Sequence, residues 1–378
     1  MKKVCIVHET GDGRLGGHHI ENAFRGLPGV EISAISDSNK DREVADYMPI
    51  APMRYYDYRE MLETEKPDIV VLASRNPDEH FEQINVAIDH HCHVLTEKPF
   101  VADLTQSDQL ISRAAETNTQ IVIAHLARYA PVFQTMKKMI DAGEIGRVLT
   151  CYLRGKEDKR GGGEDMMVLG SHLLDIAVYL FGYPHDVFSD IRMNGKIITS
   201  SDIIPTDEPI GLTAGDEVMS VYRFPDKINT IFQSHRAVVE GGAARMGIVV
   251  AGSKASLAVR YSGDRALRIC RNFPVPEEDE SQYEIIPVPE APEIPDAEPI
   301  NYNQCVSQPE QPYKRYYADN NRRAAWNLLQ SIENGIPLLS SAADAVWSLE
   351  MITGAYRSAI ERRVITLPQI ERKHPLCK

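Results

Sequence analysis

The 378-residue sequence has no excess of basic residues, and this absence excludes several classes of partner. Lys and Arg number 41 against 54 Asp and Glu, which gives a formal net charge of −13 at pH 7. Because polyanions attract basic surfaces, this charge makes nucleic acid and anionic membranes poor partners. No basic run interleaved with aromatic side chains is present either. We therefore expect a protein that binds neither nucleic acid nor a membrane surface.

Long apolar runs and paired cysteines are also missing. No stretch approaches the ~18 apolar residues that suggest a membrane span. The basic start Met1–Lys3 leads into a short apolar strand, which is unlike a signal peptide. The six cysteines stand apart, without a Cys-x-x-Cys pair. Scattered thiols suit a reducing compartment, so we expect a cytoplasmic protein.

Strand and helix patterns alternate over the first 126 residues. The strand-like apolar runs are Val4–Val7, Val30–Ser36, Asp68–Ala73, His93–Leu95 and Gln120–Ala124. Helical patterns separate them, including one after a glycine-rich loop that is expected to end near Leu27. Strands linked by helices at this spacing pair in parallel, with helices on both faces of the sheet. We predict an α/β fold with a doubly wound parallel sheet over residues 1–126.

The pattern changes in the second part of the chain. Strand-like runs there are Glu217–Phe224, Asn229–His235, Met246–Ala251, Ser256–Arg260 and Ala266–Cys270. Because long helical links are missing between them, they favour an antiparallel sheet in an α+β domain over residues 127–378. The acidic, proline-rich stretch 274–313 is expected to run over the surface as an extended loop. Two helices, near 321–334 and 342–357, should close the chain.

A Gly-x-Gly-x-x-Gly loop follows the first strand, and an acid ends the second. Glycines let the backbone turn tightly and approach a pyrophosphate, while the following helix N-terminus supplies amide donors. The Asp37 carboxylate can accept from both ribose hydroxyls and would repel a 2′-phosphate, which favours NAD over NADP. The expected cofactor-binding loop residues are Gly11, Gly13, Arg14, Leu15 and Gly16. The alternative is a glycine turn that holds no ligand.

The tripeptide Glu97-Lys98-Pro99 comes just past the carboxyl end of the fourth strand-like run. Ligands bind outside the carboxyl ends of parallel strands, and proline restricts the turn that carries the lysine. A lysine ammonium near a carbonyl or alkoxide oxygen stabilises developing charge. Lys98 is therefore the first catalytic candidate. The alternative is a surface Lys–Glu pair of little energetic consequence.

His172 begins an apolar helical stretch and is the second catalytic candidate. Histidine titrates near neutrality and is the usual general base. Asp175 lies three residues further on, so both side chains project from a similar face of the helix. The alternative is a half-buried histidine that bonds to its own helix neighbours.

Polar residues after other strands are expected near the same edge of the first sheet. The cofactor candidates at these positions are Ser74, Asn76, His80, Glu97 and Lys98. Arg128 and Tyr129 follow the fifth strand and are candidates for substrate binding, as is Lys156 in a later loop. For Lys156 the alternative is a solvated surface cation.

Histidines cluster at 90–93, where a helix ends and a strand begins. Alternation along the strand splits these side chains between two faces, whereas a closed zinc site needs four convergent ligands. We therefore expect no metal site.

The ordered set of motifs resembles the glucose–fructose oxidoreductase/inositol dehydrogenase/rhizopine-catabolism (Gfo/Idh/MocA) family. It consists of the glycine loop, Glu97-Lys98-Pro99, Arg128-Tyr129-Ala130-Pro131 with the Gly143–Gly146 segment, and Gly170-x-His172-x-x-Asp175. The resemblance covers essentially the whole chain. It implies an N-terminal Rossmann domain and a C-terminal domain for substrate binding and oligomerisation with a large, open, mostly antiparallel sheet. It also implies that the C-terminal helices pack back on the first domain and that Lys98 and His172 act at the substrate.

The chain departs from the family pattern at one position. An aspartate often stands four residues before the histidine in this family, and here that position is Val168. Glu164, Asp165 or Asp175 could supply the carboxylate, and all three are substrate-binding candidates. An open sheet face also needs cover, so we expect a homo-oligomer, a dimer or a tetramer.

We interpret the sequence as an NAD-dependent oxidoreductase acting on a sugar, glycoside or polyol. A substrate hydroxyl would give its proton to His172 and its carbon would give hydride to the nicotinamide, while Lys98 stabilises charge on the oxygen. One alternative is an NAD-dependent glycosidase that works by transient oxidation and elimination. A second is a non-catalytic dinucleotide-binding regulatory protein, which the missing carboxylate at Val168 would favour.

Overall fold

A computed structural model describes residues 1–10, 18–42, 50–208, 210–239, 246–261, 263–271 and 280–377. The chain divides into two compact units. The first consists of Met1–Ala130, Pro209–Gly211 and Pro292–Ala345, and the second of Pro131–Glu208, Leu212–Ala291 and Val346–Lys378. The chain therefore passes between the two units more than once and ends in the second.

The helices begin and end at recognisable signals. In chain order they are α1 (Tyr58–Glu65), α2 (Pro77–Asp89), α3 (Leu104–Thr117), α4 (Pro131–Asp141), α5 (Gly163–Asp165), α6 (Ser171–Phe181), α7 (Tyr302–Cys305), α8 (Pro312–Asn334) and α9 (Ala342–Glu361). Asp103 caps α3 by accepting a hydrogen bond from the Gln106 amide at 2.9 Å. Such a cap satisfies one of the amides that a helix start leaves without an internal partner.

The first unit contains a six-stranded parallel sheet. Its strands are β1 (Lys2–Val7), β2 (Val30–Ser36), β3 (Met53–Tyr55), β4 (Ile69–Leu72), β5 (His93–Thr96) and β6 (Ile121–Ile123). They lie in the order β3-β2-β1-β4-β5-β6, and each neighbouring pair is parallel. All four residues of β4 are buried, as expected for a strand covered on both faces. The predicted doubly wound parallel sheet is confirmed.

The core of the first unit joins residues far apart in sequence. Val4, Ile6 and Val71 from the sheet pack in one apolar cluster with Leu328 and Leu329 of α8. Because burial of apolar surface is the main favourable term in folding, this contact makes α8 an integral part of the unit.

The second unit is built on a large, mostly antiparallel sheet. In chain order the strands of this unit are β7 (Val148–Arg154), β8 (Asp186–Met193), β9 (Lys196–Ile197), β10 (Ile203–Ile204), β11 (Thr213–Ala214), β12 (Glu217–Arg223), β13 (Asn229–His235), β14 (Gly247–Gly252), β15 (Ser256–Arg260), β16 (Leu267–Cys270), β17 (Glu284–Ile286) and β18 (Ile365–Thr366). The large sheet has the order β17-β16-β15-β14-β7-β13-β12-β8-β18, with β9 beside β8, while β10 and β11 pair separately. The β7–β13 pair is parallel.

One face of this sheet packs against helix α9. The Tyr222 hydroxyl donates to the Met351 carbonyl at 3.2 Å, and the Ser358 hydroxyl accepts from the Ser189 amide at 3.0 Å. Side chains of this face alternate along β8 and β12 with partly or fully exposed ones. Alternation of this kind is expected when the two faces of a sheet differ in burial.

Two predicted segments differ from the structure. The helix expected after the glycine loop is reduced, among the described residues, to a 3-10 turn at Ile20–Asn22. His19 has φ 63° and Gly26 has φ 66°, and neither value belongs to a right-handed helix. The stretch predicted as an extended loop contains the strand β17, the short helix α7 and the start of α8 at Pro312. Proline suits the first position of a helix, so α8 begins nine residues before the predicted start at Asn321.

Within the described ranges, no helix is both long and apolar enough to cross a membrane.

Candidate active site

The carboxyl edge of the parallel sheet gathers several of the predicted residues. The strand order reverses between β1 and β4, and ligands of such sheets bind in the crevice outside the carboxyl ends at this point. Asp37 follows β2, Ser74 follows β4, and Glu97 with Lys98 follows β5. These residues therefore stand at the ends of neighbouring parallel strands. The glycine-loop residues Gly11, Gly13, Arg14, Leu15 and Gly16 lie outside the described residues.

The Asp37 carboxylate is buried against its neighbouring loop. One oxygen accepts from the Thr10 amide at 3.0 Å and from the Asn39 amide at 2.9 Å, and the other accepts from the Thr10 hydroxyl. The carboxylate thus links the segment that follows β1 to the segment that follows β2. Its position at the end of β2 is the one expected for a ribose-binding acid.

Glu97 is a buried anchor for the segment that follows the glycine loop. Its carboxylate accepts from the His18 amide at 2.6 Å and from the Lys98 amide at 3.3 Å, and it lies 3.3 Å from the His18 Nδ1. Burial alone would raise the pKa of Glu97, but the charge and hydrogen bonds of His18 lower this pKa to about 2. Glu97 is therefore ionised and fixes the backbone on the amino side of Lys98.

Lys98 is only 2% exposed, which is unusual for a lysine. The Glu97 amide donates to the Leu72 carbonyl at 3.0 Å, which ties the start of this turn to the end of β4. A lysine held in such a turn is a pre-positioned cation at a strand end, and this placement suits a group that stabilises developing negative charge.

Two predicted residues, Ser74 and Asn76, lie between β4 and α2, and a third, His80, lies within α2. Asn76 is the residue before α2, and its amide group is 3.4 Å from Glu79, while the Ser74 hydroxyl is 3.5 Å from the same carboxylate. His80 is fully buried, and its two ring nitrogens face backbone carbonyl oxygens of Ser74, Pro99 and Phe100. Both ring nitrogens of His80 therefore contact the nearby backbone.

Arg128 and Tyr129 are both buried in the first unit. Arg128 donates to the Leu339 carbonyl at 2.9 Å and lies 3.9 Å from Asp344. The Tyr129 hydroxyl donates to the Asn327 side chain at 3.3 Å, and its ring belongs to the apolar core of the unit. These contacts connect the segment after β6 to α8 and to the residues that follow it.

His172 lies in the first turn of α6, in the second unit. A π-helical turn over Met166–Gly170 joins α5 to α6, so the helical path from Gly163 to Phe181 is wider in its middle. The His172 ring stacks on Tyr261, with ring centroids 5.8 Å apart and planes at 24°. Asp175 is buried three residues further along α6. π-turns are rare in proteins, and those that occur frequently lie at functional sites.

Asp165 and Glu164 both have partners in the second unit. One oxygen of Asp165 accepts from the Ser234 hydroxyl at 2.6 Å and from the Glu157 amide at 3.2 Å. Burial raises the pKa of Asp165 to about 6, against the lowering effect of these hydrogen bonds. Glu164 accepts from the Asp207 amide at 2.8 Å, and burial raises the pKa of this carboxyl as well.

Lys156 belongs to a network of charges in the loop after β7. Its ammonium is 3.0 Å from Asp158, which also pairs with Arg160 at 2.8 Å, and Arg160 reaches Glu208 at 2.7 Å. Burial would raise the pKa of Asp158, yet hydrogen bonds from Arg160 and Lys156 hold it well below its usual range. The network orders a loop whose sequence is rich in charges.

The described part of the chain contains no group of three or more His, Cys, Asp or Glu side chains that could hold a metal ion. In the histidine cluster, the His93 Nδ1 accepts from the Gln120 amide at 3.0 Å. Burial lowers the pKa of His93, so this ring is a neutral hydrogen-bond acceptor between β5 and β6.

Sequence reasoning missed three contributors to this geometry. Tyr261 stacks on His172, Ser234 donates to Asp165, and His18 donates to Glu97. Each pair is separated by more than 65 residues, and no local spacing signals such a contact. For His18, the available signal in the sequence was its place directly after the glycine loop.

A Rossmann-type parallel sheet and a second unit with a large, mostly antiparallel sheet define a two-domain nucleotide-dependent oxidoreductase architecture. Residues 4–125 match the description "Oxidoreductase family, NAD-binding Rossmann fold", and residues 133–258 match "GFO/IDH/MocA C-terminal domain". The chain belongs to the Gfo/Idh/MocA family. The expected NAD-binding Rossmann domain is thereby confirmed.

Curated relatives include dehydrogenases of cyclic polyols. The inositol 2-dehydrogenase of Mycolicibacterium smegmatis is 29% identical over 182 residues, which cover 46% of this chain and 52% of that protein. The scyllo-inositol 2-dehydrogenase (NAD(+)) of Bacillus subtilis is 28% identical over 207 residues, which cover 52% of this chain and 58% of that protein. The chain spans about half the length of the curated relatives it matches.

Solved structures share the fold over nearly the whole chain. An oxidoreductase from Agrobacterium radiobacter, solved with NAD+, L-tartaric acid and magnesium, has a TM-score of 0.71 at 16% identity and covers 97% of this chain and 98% of that chain. The WlbA dehydrogenase from Bordetella pertussis, solved with NADH and UDP-GlcNAcA, has a TM-score of 0.68 at 17% identity, with coverage of 97% and 98%. At these identities the likeness establishes the fold alone.

Proposed function

We propose that this protein is an NAD-dependent oxidoreductase that transfers hydride between the nicotinamide and a hydroxyl-bearing carbon of a sugar, glycoside or polyol. The observation that carries the proposal is the buried Lys98 at the carboxyl end of β5, close to the point where the strand order reverses. Membership of the family supports it, as do relatives that are named inositol dehydrogenases.

The carboxyl edge of the sheet suits a dinucleotide. We propose that Asp37 binds the adenosine ribose, since it ends β2 and carries a carboxylate beside the chain end of β1. Ser74 and Asn76 stand at the end of β4, where backbone and side-chain dipoles would face the nicotinamide half. Bound NAD would supply the hydride acceptor. The adjoining Lys98 supplies positive charge from the chain itself.

Lys98 holds the substrate oxygen in this proposal. An ammonium fixed at a strand end stabilises negative charge that develops on the oxygen during hydride transfer, and it needs no reorganisation at that moment. Its low exposure strengthens this effect, because electrostatic interactions are stronger away from bulk water.

His172 accepts the proton of the substrate hydroxyl. Its ring is held by stacking on Tyr261, and it remains partly exposed while its helix neighbours Ser171 and Leu173 are buried. Asp175 on the same helix is a candidate to orient the ring, and Lys156 is a candidate for contact with substrate hydroxyls. Asp165 and Glu164 hold the loop around Lys156 in order, through the hydrogen bonds described above.

The first experiment is a screen of sugars, glycosides and polyols with NAD and with NADP, followed by the absorbance of reduced nicotinamide. With a substrate in hand, Lys98→Met should reduce kcat by about 10²- to 10³-fold, the usual effect of removing one group that stabilises a transition-state oxyanion. NAD affinity, measured by fluorescence titration, should stay unchanged. Lys196→Met removes an exposed lysine in β9 and is the matched control.

The outcomes separate the proposed function from its alternatives. Full activity of the Lys98→Met protein would refute the assignment. Glycoside cleavage that needs NAD without net formation of NADH would identify a glycosidase. NAD binding with no turnover of any compound in the screen would favour a regulatory protein.

We further propose that the protein works in the cytoplasm as a homo-oligomer. Its six cysteines are free thiols, five of them buried, as suits a reducing compartment. On the sheet of the second unit, Phe188, Val221, Ile231 and Tyr152 lie side by side on neighbouring strands and are partly or fully exposed. An apolar row of this size is typical of an interface with a second copy.

A further inference from the structure

His80 makes an unusual set of contacts beneath the turn that carries Lys98. This histidine lies on α2 and has no exposed surface. Its Nδ1 is 2.8 Å from the Pro99 carbonyl oxygen and 3.1 Å from the Phe100 carbonyl oxygen. Its Nε2 is 2.9 Å from the Ser74 carbonyl oxygen. One ring therefore touches the chain on both sides of the carboxyl edge, after β4 and after β5.

These contacts join two separate chain segments through one rigid ring. Carbonyl oxygens only accept hydrogen bonds, so a ring N–H of His80 donates to them. Because the ring is planar and fully buried, its two nitrogens hold the segment after β4 and the segment after β5 at a fixed separation. Removing a buried hydrogen-bonding group of this kind costs about 1–3 kcal/mol.

The turn that holds Lys98 is fixed at both of its ends. On the amino side, the Glu97 carboxylate accepts from the Lys98 amide and from the His18 amide. On the carboxyl side, His80 binds the carbonyl groups of Pro99 and Phe100. The backbone of Lys98 thus lies between two buried polar anchors, one acidic and one basic.

We propose that His80 is a positioning residue for Lys98, because its buried ring joins the end of β4 to the turn after β5. This inference rests on the proposed function, because it assigns His80 an effect only through the Lys98 ammonium. His80 itself does not touch the substrate or the cofactor. Its replacement shifts the turn and misplaces the lysine by a fraction of its side-chain length.

The first test replaces His80 with glutamine, whose single amide group can donate on one side of the ring position only. We expect kcat to fall about 10- to 100-fold, as is usual when a catalytic group is misplaced by about 1 Å. KM for NAD should change by less than about twofold, because the substitution leaves unchanged the residues after β1 and β2, which are proposed to bind NAD. His91→Asn, an exposed histidine just beyond the same helix, is the matched control and should retain wild-type kcat.

A double-mutant cycle with Lys98→Met separates positioning from general stability. If His80 acts through Lys98, His80→Gln should cause no further loss in the Lys98→Met protein, whose residual turnover is measured at high enzyme concentration. A structural role would instead multiply the two losses. Equal fractional losses from His80→Gln in both backgrounds would overturn the proposal.

Nuclear magnetic resonance gives a readout that does not depend on activity. In protein labelled with ¹⁵N-histidine, the ring N–H signal that is lost in His80→Gln should exchange slowly with solvent, because the ring is buried and hydrogen-bonded, and His91→Asn should leave this signal in place. A ring N–H that exchanges as fast as that of an exposed histidine would contradict the proposed link between the two segments. If Lys98→Met stays fully active, the proposed function fails; if only His80→Gln is harmless, this inference alone fails.

Discussion

The Asp165 carboxyl illustrates how a residue can be singled out in sequence while its hydrogen-bond partners cannot be predicted. Its position near the glycine run suggested a carboxylate aimed at a substrate. In the structure it has no exposed surface, and it accepts hydrogen bonds from Ser234 and from the Glu157 amide. Burial raises its pKa to about 6, so its ionisation opposes folding near neutral pH.

This shift predicts a pH dependence of stability that Asp165→Asn should remove. The folded pKa of about 6 lies above the unfolded value of 3.8. The protonated Asp165 carboxyl therefore stabilises the folded state fully below about pH 4, and this stabilisation is lost as the pH rises through 6. The free energy of unfolding of the wild type, relative to that of the variant, should fall by about 3 kcal/mol between pH 4 and pH 7.

Urea unfolding at pH 4, 5, 6 and 7 measures this difference, with Asp226→Asn as an exposed control. A difference that stays constant across this range would mean that Asp165 is ionised in the folded protein without cost.

Residue types at strand ends could be predicted from the sequence, whereas their partners could not. Lys98, Asp37 and Ser74 lie after the expected strands because local patterns set both the strand and its end. The pairing of His80 with two later carbonyl groups depends on how α2 packs, and no spacing encodes it.

At the scale of elements, the π-turn over Met166–Gly170 changes how the sequence around His172 is read. In an α-helix, a residue four positions earlier lies one turn below on the same face. A π-turn takes more residues per turn, so the spacing of four does not carry over unchanged across this segment. The absence of a carboxylate at Val168 therefore does not by itself establish what lies beside His172 in space.

Gly170 ends this π-turn, and a side chain there would collide with the sheet. A Cβ at Gly170 would lie 2.7 Å from Phe232 Cζ and 2.8 Å from Cε2, both atoms of a buried ring. Its φ of −59° is ordinary, so the penalty of Gly170→Ala is steric. We expect a loss of about 1–3 kcal/mol in the free energy of unfolding and a reduced kcat, since His172 is two residues away.

The double variant Gly170→Ala/Phe232→Leu tests this reason, because a smaller side chain at 232 makes room for the added methyl group. In thermal unfolding, the loss of stability caused by Gly170→Ala should be smaller in the Phe232→Leu background than in the wild type. Strictly additive losses would show that the ring is not the obstacle.

Several elements of the second unit could not be predicted. The strand β8 was missed because its sequence, DVFSDIRM, has neither a continuous apolar run nor strict alternation of polar and apolar residues. The parallel pairing of β7 with β13 was also unexpected, since two antiparallel neighbours, β8 and β12, are inserted between them in sequence. The antiparallel pairs β14–β15 and β15–β16 were expected, because short links leave little choice of direction.

At the scale of the whole chain, the residue patterns predict two folding patterns, whereas only the family resemblance implied that C-terminal helices pack back on the first domain. Leu328 and Leu329 enter the core of the first unit just over 200 residues after its last strand, β6. Helical periodicity reveals an apolar face, but it does not identify the surface that the face covers.

The open face of the large sheet leads to the last prediction. Phe188 of β8 is 43% exposed and Met219 of β12 is 48% exposed. Val221, also on β12, has Phe188 of β8 and Ile231 of β13 as its direct neighbours. A monomer would leave this apolar row in water, whereas a second copy would bury it. We expect the wild type to elute as a dimer or a larger assembly of the 42.4 kDa chain in size-exclusion chromatography with light scattering.

Val221→Glu places a charge in the middle of this row and should shift the protein towards the monomer, because burying an unpaired carboxylate is costly. Circular dichroism should stay unchanged, since the side chain faces away from α9. Ile336→Glu, at an exposed isoleucine of the first unit, is the matched control and should leave the assembly intact. A wild type that is monomeric at every concentration, or a Val221→Glu protein that remains assembled, would show that the sheet face is not the interface.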